Sequence, residues 1–263
     1  MPYTSDSREF DELTAERPEA KRILAEGDSW FAYPRRYLAF GKPANIVHHL
    51  AKKDHLVIYA TASNGDEALT MLSGEQKLAL MKRISNTHFD YLLFSGGGND
   101  IVGRYDLDYL VKPFTPGGDR LAAVHQDRLQ NKLLQLRAVY EELIHRVMQF
   151  SHNPNTRIVT HCYDYPIPNK RGYALFDLFP IGESWMYPVF KYLGYQDVGF
   201  MAEVVQYLLE QFRAMLQALA VEYPGRFTVV DTQGTLSEKH WRNEIHPNSA
   251  GFKLVAKKLL AVL

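Results

Sequence analysis

Four residues of types that serve ester chemistry lie in four short motifs spread along the chain. A serine that follows a β-strand, on a turn that glycine makes tight, presents its hydroxyl at the edge of a sheet. Ser29 follows Gly27 by two residues, after an apolar stretch, so it occupies the position expected of a nucleophile. Gly65, Asn99 and His246 lie in three other turn-rich or loop-like segments.

These four residues could together cleave an ester. Serine-dependent cleavage requires a nucleophile, a base and hydrogen-bond donors directed at the developing oxyanion. Ser29 would attack and would contribute its backbone N–H, Gly65 a second N–H, and Asn99 its side-chain amide. His246 would be the general base, because imidazole titrates near neutral pH. Each motif also has an ordinary interpretation: Asp28 and Ser29 as a helix N-cap, and the others as turn or loop residues.

Five apolar segments alternate with helical patterns and would hold these residues in place. Strands are predicted at residues 23–25, 56–60, 91–94, 157–161 and 227–230. Helices are predicted at 11–21, from near Pro43, at 67–85 with a break at 73–74, at 128–150, at 202–222 and from near Ser249. The alternation predicts a three-layer α/β/α fold with a five-stranded parallel sheet. Because ligands bind beyond the carboxyl ends of parallel strands, we expect the four residues to meet in one crevice.

We interpret residues 1–263 as one domain with two long irregular insertions, at about 101–126 and 163–200. The second insertion is rich in aromatic residues between 173 and 200. Four roles stay open for these rings: an acyl or aryl pocket, a cap over the site, the interface of a homo-oligomer, and plain packing.

The motifs resemble those of the SGNH or GDSL-type hydrolases, a family of esterases and lipases. The resemblance is carried by four blocks in the family's order: Gly27-Asp28-Ser29, Gly65, Gly97-Gly98-Asn99-Asp100 and His246. It implies a flavodoxin-like fold, Ser29 as nucleophile, His246 as base, and an oxyanion hole made by Ser29, Gly65 and Asn99. The Gly-X-Ser-X-Gly motif is absent from the sequence, which argues against the α/β-hydrolase fold.

One position departs from the family's pattern. The family usually has an aspartate three residues before the histidine, where it orients the imidazole, and this chain has Asn243 there. Replacement of the equivalent aspartate by asparagine in a serine protease lowers turnover by about 10⁴ because the wrong imidazole tautomer is held. The group that would orient His246 is therefore left open. It could be Asn243, the neighbouring carboxylate of Glu244, or a backbone carbonyl, and the last would leave a Ser-His dyad. Asp28 and Asp100 are expected to order their turns by accepting nearby backbone N–H groups.

Three functions follow from these residues. The first is hydrolysis of a small-molecule ester, either a carboxylic ester or an O-acetyl group, through an acyl-enzyme. The second is an acyltransferase that uses the same site, and the third is a catalytically silent ligand-binding protein, which Asn243 motivates.

Composition narrows the class of partner. The formal net charge is zero and no block of like charge stands out, so nucleic acid is not an expected partner. The sequence contains no apolar run long enough to span a membrane, and its N-terminus is polar, so we expect a cytoplasmic protein. Cys162 is the single cysteine, and the histidines lack the spacing of metal ligands, so we expect neither a metal nor another cofactor.

Overall fold

The computed structural model describes residues 3–33, 44–175, 179–182 and 184–263, and only the backbone at residues 173–175 and 179–182. The predicted helix start near Pro43 lies outside the described residues, as do the side chains of the aromatic residues from 173 to 182.

A six-stranded parallel sheet forms the centre of the described part of the chain. The strands are β1 (Tyr3–Thr4), β2 (Lys21–Gly27), β3 (Leu56–Ala60), β4 (Tyr91–Ser95), β5 (Arg157–His161), the hairpin strands β6 (Tyr173–Leu175) and β7 (Phe179–Gly182), and β8 (Phe227–Val230). The parallel sheet has the order β1-β3-β2-β4-β5-β8, and β6 pairs with β7 in a separate antiparallel sheet. Apart from β1, the parallel strands follow the flavodoxin-like order 2-1-3-4-5.

The predicted α/β fold with a parallel sheet is confirmed, but the prediction of five strands was wrong. The additional strand, β1, has only two residues and pairs with β3 through Tyr3 and Ile58. Two residues carry neither an apolar run nor an alternation, so no sequence pattern marks them as a strand.

Helices cover the two faces of the sheet. They are α1 (Ser7–Glu16), α2 (Ser29–Ala32), α3 (Ile46–Leu50), α4 (Ala68–Met71), α5 (Gly74–Asn86), α6 (Gly98–Val102), α7 (Leu107–Leu110), α8 (Gln126–Phe150), α9 (Met186–Tyr192), α10 (Val198–Glu222) and α11 (Ser249–Leu260). Helix α8 packs against α5 and α10, and α3 packs against α11. Because both faces are covered, β3 and β4 are apolar along almost their whole length rather than alternating. The helix predicted at 67–85 is interrupted at residues 72–73, between α4 and α5, one residue before the predicted break at 73–74.

The two insertions are more ordered than predicted. Residues 101–126 contain the end of α6, all of α7 and an antiparallel bridge between Val111 and Val124, and residues 163–200 contain β6, β7, α9 and the start of α10. Helices of four to seven residues span too few turns to display a helical period, which is why the sequence read as irregular there. Pro188 lies in the first turn of α9, where a missing N–H is tolerated.

A cluster of buried apolar side chains joins the sheet to both helical layers. The assignment of all 263 residues to one domain stays a prediction. Within the described residues, no helix is long and apolar enough to cross a membrane. The cytoplasmic location stays a prediction.

Candidate active site

Ser29 lies at the carboxyl end of β2, on the turn into α2. The Asp28 side chain caps α2 by accepting the backbone N–H of Trp30 at 2.9 Å, and the Asp28 N–H donates to the Ser95 carbonyl at 2.9 Å. A Cβ atom at Gly27 would lie 2.6 Å from that carbonyl oxygen, so only glycine permits this approach of β2 to β4. Asp28 is therefore the N-cap of α2, as predicted from its expected contacts with backbone N–H groups. Ser29 is the first residue of α2, and its hydroxyl contacts His246 instead.

The structure brings His246 to Ser29. The His246 Nε2 atom is 2.8 Å from the Ser29 Oγ atom, although 217 positions separate the two residues in sequence. The imidazole is fully buried and stacks on the Tyr33 ring, with centroids 4.0 Å apart and planes 3° from parallel. Burial, and to a smaller extent the Arg242 guanidinium, lower the pKa of His246 to about 3. The imidazole is therefore neutral at physiological pH and able to accept a proton from a hydroxyl.

Asn243 contacts the other ring nitrogen of His246. Its Oδ1 atom lies 3.2 Å from His246 Nδ1. The same oxygen accepts the backbone N–H of Ile245 at 3.1 Å and that of His246 at 2.8 Å. The Asn243 amide oxygen is therefore in contact with Nδ1, which is the contact that the sequence left open.

Glu244, the other carboxylate considered for that position, faces a different element. Its two oxygens accept the backbone N–H groups of Asn169, Trp185, Met186 and Tyr187 at 2.5–3.2 Å. These contacts satisfy the free N–H groups at the start of α9, where the helix dipole also favours negative charge. Burial raises the pKa of Glu244 in spite of these donors. The suggestion that Glu244 orients the imidazole was wrong, because its carboxylate caps α9.

Gly65 and Asn99 follow the carboxyl ends of β3 and β4, and of these two residues only Asn99 shares a cavity with Ser29. Asn99 and Ser29 both line a cavity of about 30 Å³, and Asn99 and Gly65 both line an adjoining cavity of about 210 Å³. The Asn99 Nδ2 atom donates one hydrogen to the Asp66 carbonyl at 2.8 Å. Gly65 has a φ of +87°, which fits a left-handed turn that glycine adopts freely. Asn99 thus lies between the two cavities, and Gly65 borders only the larger.

Aromatic side chains of the second insertion contribute unequally to the site. Trp185 lines both cavities. Phe190 and Tyr195 are buried in the core, whereas Tyr192 is 85% exposed. Of the roles left open for the described rings, Trp185 fits a pocket wall, and Phe190 and Tyr195 fit plain packing.

A second buried polar network, which the sequence did not indicate, lies directly behind Ser29. The Asp28 carboxylate accepts the Ser95 hydroxyl at 2.8 Å and the Tyr163 hydroxyl at 2.5 Å, and Ser95 Oγ lies 2.9 Å from His161 Nε2. Burial raises the pKa of Asp28 to about 6 and lowers that of His161 to about 3. The only hint in sequence is that Ser95, His161 and Tyr163 follow or end predicted strands, as the four site residues do.

Asp100 accepts backbone N–H groups, as predicted, but they belong to a distant helix and not to its own turn. Its carboxylate accepts the backbone N–H groups of Ala68 at 2.8 Å and Leu69 at 3.3 Å, and so ties α6 to the start of α4. In the described part of the chain, no three His, Cys, Asp or Glu side chains form a group that could hold a metal ion.

Comparisons with known proteins agree with this architecture. The chain is similar in structure to an extracellular lipase from Streptomyces rimosus, with 14% identity, 93% of this chain and 100% of that chain covered, and a TM-score of 0.56. It is also similar to a mutant of an acetyl-xylooligosaccharide esterase from Geobacillus (16% identity, 92% and 93% covered, TM-score 0.51) and to the M. smegmatis aryl esterase (14% identity, 93% and 100% covered, TM-score 0.52). At these identities the likeness establishes the fold alone. A search of curated proteins gives no match.

The sequence itself carries the family assignment. Residues 24–259 match the family model of the GDSL-like lipases and acylhydrolases, and this range contains Ser29, Gly65, Asn99 and His246. The resemblance read from the four motifs is therefore confirmed. The chain belongs to the GDSL-like lipase/acylhydrolase family and is an ester-hydrolysing enzyme.

Proposed function

We propose that the protein hydrolyses a small-molecule ester through an acyl-enzyme formed on Ser29. Ser29 Oγ attacks the ester carbonyl carbon while His246 Nε2 takes the hydroxyl proton. The tetrahedral intermediate collapses, the C–O bond to the alcohol breaks, and the imidazolium returns its proton to the departing alcohol. A water molecule, activated by His246 in the same way, then releases the acid and restores Ser29.

The observation that carries this proposal is the 2.8 Å contact between Ser29 Oγ and His246 Nε2. A candidate base must lie within hydrogen-bond reach of the proton that it removes, and this pair meets that requirement before any substrate binds. The low pKa of the buried imidazole supports the same role, because the base is deprotonated over the physiological range.

The oxyanion would be stabilised by the backbone N–H of Ser29 and by the side chain of Asn99. The Asn99 amide has two hydrogens, and only one is needed for its bond to the Asp66 carbonyl. Gly65 would supply the third donor from the wall of the larger cavity. Losing one such donor costs about 10²–10³ in turnover in a well-studied protease.

The cavities favour a short acyl group. The cavity of about 30 Å³ that Ser29 and Asn99 share holds only a few heavy atoms, since a water needs about 10–15 Å³ on this measure. The larger cavity, with Glu67 and Arg104 among its lining residues, would accept a polar alcohol portion. We therefore expect aryl acetates to be cleaved faster than aryl octanoates.

A fluorophosphonate probe and an aryl ester series test the proposal. Wild type should be labelled and should turn over aryl acetate, whereas Ser29→Ala should lose both. Ser95→Ala is the matched control, because Ser95 is also a buried serine within 2.9 Å of a histidine and should leave labelling intact. Equal labelling and turnover in wild type and Ser29→Ala would refute the proposal.

Ligand-dependent thermal stabilisation without turnover would instead favour a silent binding protein, and acyl transfer to added alcohols or sugars would identify an acyltransferase.

A further inference from the structure

The orientation of the Asn243 amide is fixed by its surroundings. An asparagine side chain has an oxygen that only accepts and a nitrogen that only donates. The atom that faces the backbone N–H groups of Ile245 and His246 must be an acceptor, because a nitrogen there would set donors against donors. The assignment of the oxygen thus follows from two backbone donors and not from the imidazole.

This orientation determines the imidazole tautomer. His246 Nδ1 lies 3.2 Å from an oxygen that can only accept, so Nδ1 carries the ring proton. In a neutral imidazole the other nitrogen is then an acceptor. Nε2 therefore presents its lone pair to Ser29 Oγ, which is the arrangement that a general base requires.

We propose that Asn243 is the positioning residue of a triad without a carboxylate, in which its backbone-held amide oxygen keeps His246 in the Nδ1–H form. The proposal rests on the proposed function for its catalytic meaning. It differs from the aspartate-to-asparagine replacement in a serine protease, in which the wrong tautomer is held. Here two backbone N–H groups prevent the amide from turning its nitrogen towards the ring.

Because the Asn243 amide is neutral, an imidazolium formed on His246 has no carboxylate partner at position 243. The described groups that contact or act on His246 include Ser29 and Tyr33 of the α2 region, Arg242 of its own loop, and Asn243. The carboxylate of Glu244 is engaged at the start of α9. A carboxylate at position 243 would be the nearest opposite charge, and such a charge within about 4–6 Å favours the charged imidazole by about 1–3 pH units.

The pH dependence of kcat/KM for an aryl acetate tests this role. Asn243→Asp should move the acidic limb of the profile upward by about one pH unit or more, because the imidazolium gains a carboxylate partner. Asn243→Ala should lower kcat by about 10- to 100-fold with little change in KM, because the ring loses its orienting contact. Asn248→Asp is the matched control, since Asn248 lies two residues from His246 but caps α11 through the Gly251 N–H. An unmoved limb in Asn243→Asp, or an equal shift in Asn248→Asp, would overturn the proposal.

Nitrogen NMR of histidine-labelled protein gives a readout that does not depend on turnover. The His246 signals, identified by their loss in His246→Leu, should show a protonated Nδ1 in wild type. His161 provides an internal reference of the opposite form, because its Nδ1 accepts the Tyr163 backbone N–H at 3.3 Å. A protonated Nε2 on neutral His246 would refute the role of Asn243 even if Ser29-dependent hydrolysis holds. If hydrolysis proves independent of Ser29, the proposed function fails while the spectrum still decides the tautomer.

Discussion

The described part of the molecule contains two buried serine–histidine pairs with nearly the same separation, and the two imidazoles have opposite hydrogen-bonding roles. Ser29 Oγ lies 2.8 Å from His246 Nε2, and Ser95 Oγ lies 2.9 Å from His161 Nε2. Both imidazoles are fully buried, and burial lowers the pKa of each to about 3. Separation, burial and pKa therefore do not distinguish the pair proposed to react from the pair that does not.

The two pairs differ in the group that contacts the Nδ1 atom of the histidine. His161 Nδ1 accepts the Tyr163 backbone N–H, so Nε2 carries the proton and donates to Ser95, whose own hydroxyl donates to Asp28. His246 Nδ1 meets an acceptor instead. One histidine is thus a donor that holds a serine in a structural network, and the other is an acceptor that could remove a serine proton. What lies on Nδ1 decides which role a histidine takes.

Removal of each imidazole should have the largest and most unequal effects. We expect His246→Leu to lower kcat/KM for an aryl acetate by at least about 10³-fold, because the base is lost. His161→Leu should keep activity within about tenfold of wild type but lower the free energy of unfolding by about 1–3 kcal/mol, because Ser95 and the Tyr163 N–H lose a buried partner. Steady-state kinetics and denaturant unfolding on both variants measure this contrast. A loss of activity in His161→Leu as large as in His246→Leu would erase the distinction.

Asp28 should make the structural network visible in the pH dependence of stability. Burial raises its pKa from 3.8 to about 6 in the folded state, so between those values the folded protein binds a proton that the unfolded chain has released. The stabilisation of the folded state by this proton is present in full below about pH 3.8 and is lost as pH rises through about 6. The difference in unfolding free energy between wild type and Asp28→Asn should therefore fall by up to about 3 kcal/mol from pH 4 to pH 6 and then stay constant, at about 1.4 kcal/mol per pKa unit.

Denaturant titrations of both proteins between pH 4 and pH 8 measure that difference. His161 works in the opposite direction, because a lowered histidine pKa makes stability fall below about pH 6.5, so only the comparison with Asp28→Asn isolates the carboxylate. A difference that does not vary between pH 4 and pH 6 would show that Asp28 is not the group that takes up the proton.

Glu244 should affect the site through α9 and not through the imidazole. Glu244→Gln replaces one carboxylate oxygen by a donor against the backbone N–H groups of α9, which should cost about 1–3 kcal/mol of unfolding free energy. Because Trp185 lines both cavities, KM should rise while the acidic limb of the kcat/KM profile stays in place. A shifted limb in Glu244→Gln would indicate that this carboxylate reaches His246 after all.

The fold could be predicted from sequence where the segments were long and apolar. The strands at 56–60, 157–161 and 227–230 have the predicted limits, because each contains the apolar and β-branched residues that are typical of strands. Among the elements that were missed, β1, α7 and α9 are short and take their stability from contacts with distant residues. Helix α9 in particular depends on a carboxylate that lies 58 positions away from Met186, and no local pattern can express such a contact.

The site shows the same division between local and distant information. Ser29 and His246 were identified because their motifs are local and their order along the chain resembles that of a family. The role of Asn243 could not be read from its identity, since an amide oxygen and an amide nitrogen have opposite effects on a neighbouring imidazole. Only the backbone donors of Ile245 and His246 determine which atom faces the ring, and they depend on how the loop folds.

The smallest expected effect concerns Tyr33, which stacks on the His246 ring as Trp30 stacks on the His161 ring. Its ring lies parallel to the imidazole at 4.0 Å, and the Arg242 guanidinium lies 5.6 Å from its centroid. An aromatic pair contributes about 0.5–1.5 kcal/mol beyond burial, so Tyr33→Leu should lower kcat by about 2- to 10-fold through a less confined imidazole. Tyr33→Phe keeps the ring and should retain kcat close to that of wild type. If Phe and Leu at this position lower kcat equally, the phenolic hydroxyl and not the stacked ring supports the base.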